Sequence, residues 1–74
     1  MDAIDELRQL CQAALERCRT EAARERQLFD LWQRTSSDAD LEAWVNQKKR
    51  VSAAFAVHQE AMQALDAAQI RHQA

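Results

Sequence analysis

The chain has 74 residues, of which 47% are apolar and 30% charged, with a formal net charge of −2 and a pI near 5.6. A chain this short makes one domain at most, and below roughly 70–80 residues a lone core seldom supplies more than about 3–5 kcal/mol of net stability. The mild acidity gives no global basic field of the kind that draws proteins to nucleic acid or anionic lipid.

Neither glycine nor proline occurs. The one cluster of turn-type residues, Thr35, Ser36, Ser37 and Asp38, falls almost at the midpoint, and residues favourable in helices fill both flanks. The pattern predicts an all-α fold: an antiparallel two-helix hairpin, coiled-coil-like, as a single domain over 1–74. The first helix is expected over about 3–34, the turn over 35–38 and the second helix over about 39–71. Two helices bury only one stripe each, so a solitary hairpin leaves apolar side chains wet, and dimerisation into a four-helix bundle is expected to cover them.

The first helix has a clear start. Asp2 can cap it, and Asp5 and Glu6 stand in the first turn, where the helix dipole favours negative charge. An acidic start of this kind is unlike a secretory leader, and no apolar run approaches the length that spans a bilayer. Ile4, Leu7, Cys11, Ala14, Cys18, Leu28 and Trp32 follow at helical spacing, with Leu10, Leu15, Ala22, Phe29 and Leu31 widening the stripe. Glu21 and Glu25 interrupt it at seam positions.

Ser37 and Asp40 can form a capping box that opens the second helix. Its seam is expected to run Leu41, Trp44, Lys48, Val51, Phe55, His58, Met62 and Leu65. With the turn near 36 and 37, antiparallel partners carry numbers that sum to about 73, which sets apolar residues against apolar ones. It also sets Glu21 and Glu25 beside Lys48, a polar layer that would control hairpin register.

Beside the seam, Ala53, Val57, Ala61, Ala64 and Ala68 form a stripe of small apolar residues that predicts close packing of another helix. Trp32 and Trp44 flank the turn with Phe29 nearby, either clamping the closed end or serving as an interface anchor. These eight residues are the candidate protein interface. Arg24, Arg26, Lys48, Lys49 and Arg50 form the densest basic patch, but Glu21, Glu25 and Glu42 dilute it, so a solvated face is favoured over a phosphate surface.

Chemistry finds no foothold. Cys11 and Cys18, seven apart, lie about 10.5 Å apart along one helix face, too far for an intrachain disulfide or for one zinc ion to take both sulfurs. They read as reduced thiols packed in the seam, which suits a cytosolic protein. His58 and His72 complete no ligand set, and His58 reads as a seam residue. No nucleophile elbow, phosphate loop or catalytic carboxylate pair occurs, so no enzyme, cofactor or small-molecule substrate is expected.

The expected function is non-enzymatic binding of another protein, of a second copy, or of both, as a small adaptor, inhibitor or chaperone in the cytoplasm. In outline the chain is similar to the short, glycine-poor hairpin co-chaperones of type III secretion needle subunits and to dimeric hairpin inhibitors encoded by phages. It also resembles in architecture the plasmid copy-number regulators whose hairpins dimerise and bind structured RNA. No specific motif carries any of these likenesses. An RNA-binding bundle and an assembly subunit without a ligand are the alternatives.

Overall fold

The computed structural model describes residues 2–73, so the domain expected over 1–74 reaches one residue beyond them at each end. It contains two helices, α1 (Ala3–Thr35) and α2 (Asp38–Gln73), which fold back on each other as a rod of 56 × 16 × 12 Å. Among the described residues there is no strand, and no helix is long and apolar enough to cross a membrane.

Asp2 caps α1 as its sequence position suggests: its carboxylate accepts from the Ile4 amide at 3.3 Å, with Asp5 and Glu6 in the first turn. Arg8 and Asp5 form an ion pair at 3.6 Å, but both side chains are more than half exposed, so its contribution is small.

The connection is only two residues long. Ser36 ends α1 in the left-handed region, φ 52 and ψ 26, and its amide donates to the Trp32 carbonyl at 2.7 Å. Ser37 then caps α2, its Oγ accepting from the Asp40 amide at 3.4 Å. The second half of the expected capping box is replaced. Asp40 Oδ2 accepts from the Thr35 hydroxyl at 2.5 Å, and the same hydroxyl oxygen accepts from the Ser37 amide at 3.3 Å, so the end of α1 is laced to the start of α2.

On α1 the seam residues Ile4, Leu7, Cys11, Ala14, Cys18, Glu21, Glu25, Leu28 and Trp32 are buried or half-buried, an unbroken alternation of three and four. On α2 the matching series is Trp44, Gln47, Val51, Ala54, His58, Ala61, Leu65 and Ala68. This differs from the sequence expectation at every second position: Gln47, Ala54 and Ala61 face inward in place of Lys48, Phe55 and Met62, which are exposed. The reason is size. Cys11, Ala14 and Cys18 on α1 allow close approach, and alanines opposite them fit where a phenylalanine or methionine would force the backbones apart.

The resulting core is thin. Its buried apolar residues are Cys11, Ala14, Cys18 and Ala54, and no side chain among the described residues falls below 2% exposure. The thiols of Cys11 and Cys18 are free and buried.

Ser36 holds a conformation that disfavours residues with a Cβ by about 1–2 kcal/mol and suits glycine. Ser36→Gly should therefore raise stability by about 0.5–1 kcal/mol after its larger unfolded-state entropy is allowed for, and Ser36→Val should lower it. Urea titration followed by circular dichroism reads both changes.

Candidate protein interface

Three regions of the rod stand apart from its small-residue seam. At the closed end, Phe29, Trp32 and Trp44 form one aromatic cluster. The two indoles stack at 5.6 Å with planes 7° apart, and Phe29 tilts against Trp44 at 5.0 Å and Trp32 at 6.0 Å. The Lys48 ammonium lies over the Trp44 ring, 4.8 Å from its centroid. Trp44 Nε1 is buried with no acceptor. Beside the cluster, Glu25, Arg26, Phe29, Asp30 and Trp44 line an open cleft of about 340 Å³.

A polar layer lies toward the middle of the rod. Gln47 is 3% exposed, and its Nε2 donates both to the Glu21 carbonyl at 3.0 Å and to Glu21 Oε2 at 2.7 Å. The sequence points to Glu21 and Glu25 as register-setting acids, but the partner that reaches Glu21 across the seam is Gln47. Lys48, one residue on, is exposed and directed to Trp44. An amide suits this place better, because it is neutral and its two N–H groups satisfy two acceptors without burying a charge.

The third region is the apolar surface on the flanks. Leu10, Leu15, Leu31, Val45, Phe55, Val57, Met62 and Ile70 are all 37–67% exposed. In an antiparallel heptad pair the positions just after Leu7, Ala14, Glu21 and Leu28 on α1 and just after Gln47, Ala54 and Ala61 on α2 fall on one flank. Those just before Cys11, Cys18, Glu25 and Trp32 on α1 and just before Trp44, Val51, His58 and Leu65 on α2 fall on the opposite flank. The first flank carries Leu15, Ala22 and Phe29 from α1 with Leu41, Phe55 and Met62 from α2, where Ala22, Phe29 and Leu41 are half-buried. The second flank alternates Leu10, Leu31, Ala43, Val57 and Ala64 with Arg17, Arg24, Arg50 and Arg71.

The stripe of small residues expected to receive another helix is divided by this geometry. Ala61 and Ala68 are half-buried along the hairpin's own seam, whereas Val57 and Ala64 stay exposed on the second flank and Ala53 is exposed beside it, lining a cleft with Arg50 and Val57. The basic patch is divided too. Arg24 and Arg50 line one cleft with Gln47, and Arg17 shares the neighbouring one with Arg50 and Val57. Arg26 lines the aromatic cleft with Glu25 and Asp30, and Lys49 is exposed. Sequence reasoning missed Leu15, Phe55 and Met62 as outward-facing residues. The available signal was the string of alanines at 54, 61 and 68, a second heptad series one residue out of step with Phe55 and Met62.

Among the described residues no group of three or more His, Cys, Asp or Glu side chains could hold a metal ion. No protein-family model matches the chain, and no curated protein or solved structure shows significant similarity to it.

The polar layer makes a checkable demand. Gln47→Ala leaves the Glu21 carboxylate without its cross-seam donor and should lower stability by about 1–3 kcal/mol, whereas replacing Glu21 and Gln47 together by leucine should be neutral or stabilising. Urea midpoints of the single and double variants measure this, and an unaffected Gln47→Ala protein would remove the layer from the account.

Proposed function

We propose that this chain is a non-enzymatic protein-binding module, a small adaptor, inhibitor or chaperone, whose hairpin pairs with a second copy as a four-helix bundle and covers an apolar surface of a larger protein. The observation that carries this reading is an imbalance. Eight large apolar side chains stand exposed on a rod whose own buried core consists of two cysteines and two alanines. Apolar surface of this extent on a small chain marks an interaction site more often than a solvated face. The aromatic cluster at the turn adds the residue types that anchor interfaces, and Trp44 Nε1 is a buried donor with no acceptor.

A second reading has one specific support. Arg24 and Arg50 line the same cleft, with Arg17 beside it, so two copies would present six guanidinium groups suited to phosphates of structured RNA. Glu21 lines the neighbouring cleft with Arg17 and Arg50 and weakens this field, so protein binding is the preferred function.

The two readings separate with the tagged chain as bait in a cell extract, washed at low and high salt with and without nuclease. Protein binding predicts a specific protein that survives high salt and nuclease and is lost from a bait carrying Leu31→Glu and Val57→Glu. RNA binding predicts recovery that falls steeply with salt and disappears with Arg24→Glu and Arg50→Glu. Recovery of neither would leave an assembly subunit without a ligand.

A further inference from the structure

We infer that the flank formed by Leu15, Ala22, Phe29, Leu41, Phe55 and Met62 is the surface that closes on a second copy of this chain. The inference rests on the reading of the hairpin as a self-associating binding module and assigns the face that reading leaves open.

Area is the first argument. The hairpin exposes 5769 Å². A compact monomer of 8.5 kDa exposes about 4,650 Å² by the usual scaling with mass, so the rod carries on the order of 1,100 Å² in excess. A standard interface removes about 800 Å² from each partner. One further hairpin laid along one flank is therefore the right size of cover.

Charge then selects the flank. The second flank carries Arg17, Arg24, Arg50 and Arg71, and a twofold pair joined through it would bring eight guanidinium groups together. Among the described residues, the heptad positions of the first flank carry Arg8 near the open end and Lys48 toward the middle as charges, and Glu25, Arg26 and Asp30, of mixed sign, border it beside Phe29. Its large side chains are exposed in the single hairpin, Leu15 at 37%, Met62 at 41% and Phe55 at 53%.

The first flank is also complementary to itself. When two copies lie antiparallel and overlap over their full length, heptad spacing sets Leu41 against the second copy's Met62 and Leu15 against its Ala22. The same alignment brings the Lys48 stem, whose ammonium lies over its own Trp44, alongside the second copy's Phe55 and brings Arg8 within a turn of its Phe29, so the cations lie by aromatic rings instead of like charges. No carboxylate occupies a heptad position of this flank. A pairing of this kind buries apolar area that the alanine- and cysteine-lined seam cannot, and it completes a four-helix core.

Sedimentation across a concentration series, low micromolar to about 100 μM, with circular dichroism on the same samples, tests this on the full chain. Wild type should sediment as a helical dimer, twice the 8.5 kDa chain mass. Phe55→Glu should weaken association by at least about a hundredfold, because both copies lose a central aromatic contact. Val57→Glu, on the opposite flank, should remain dimeric. Met62→Glu provides the same reading if Phe55→Glu loses helix as well. A wild type that stays monomeric throughout would overturn the association itself. A dimer that survives both Phe55→Glu and Met62→Glu, or one that dissociates with Val57→Glu, would overturn this face and leave the bundle standing.

Discussion

Close approach of two helices through small side chains is the constraint from which the rest of this molecule follows. Cys11, Ala14 and Cys18 face a second helix that offers Ala54, Ala61 and Ala68 at every second seam position, and at those layers a phenylalanine or methionine would force the backbones apart. Dispersion contacts gain from such proximity, but the area removed from water per layer is small. The large apolar residues that would ordinarily fill a core, Phe55 and Met62 among them, are displaced to the outside. Exposure of the flank is thus the direct counterpart of a seam built from small residues.

Three local devices hold the thin seam in one alignment. The aromatic cluster of Phe29, Trp32 and Trp44 clamps the closed end, where most of the hairpin's ring area is concentrated. The two-residue turn is laced by the Thr35 hydroxyl, which donates to Asp40 and accepts from Ser37. Farther along, the Gln47 amide reaches both the carbonyl and the carboxylate of Glu21. Slipping one helix by a turn toward Cys18 would leave that amide buried among apolar side chains without a side-chain acceptor, a penalty that an all-apolar seam would lack. The polar layer accordingly exchanges some stability for a defined register, the same physical role that single polar seam residues play in coiled coils.

Much of this is legible in the sequence. The absence of glycine and proline, the Asp2 and Ser37 caps and the midpoint cluster of turn residues predict the two helices and their boundaries to within two residues at each end. The rotation of α2 about its axis was harder to read. Its apolar stripe is broad enough to present either Phe55 and Met62 or Ala54 and Ala61 to α1, and hydrophobicity alone favours the larger pair. What decides between them is shape complementarity with the small residues of α1, a relation between two segments that periodicity within one segment does not contain. The same rotation explains why the basic run around Lys48 separates: Lys48 turns toward Trp44, while Arg50 joins Arg24 on the other flank.

The proposed association through the exposed flank couples folding to self-association, because the buried core of one hairpin is limited to Cys11, Ala14, Cys18 and Ala54. The most direct test is the dependence of the unfolding midpoint on protein concentration, followed by circular dichroism at 222 nm in urea. A coupled dimer predicts a midpoint that rises with concentration, by the equivalent of about 2.7 kcal/mol of dimer stability for each hundredfold increase. A midpoint that stays fixed over that range, with full helicity at the lowest concentration, would show that the hairpin is stable alone and would contradict the account at its centre.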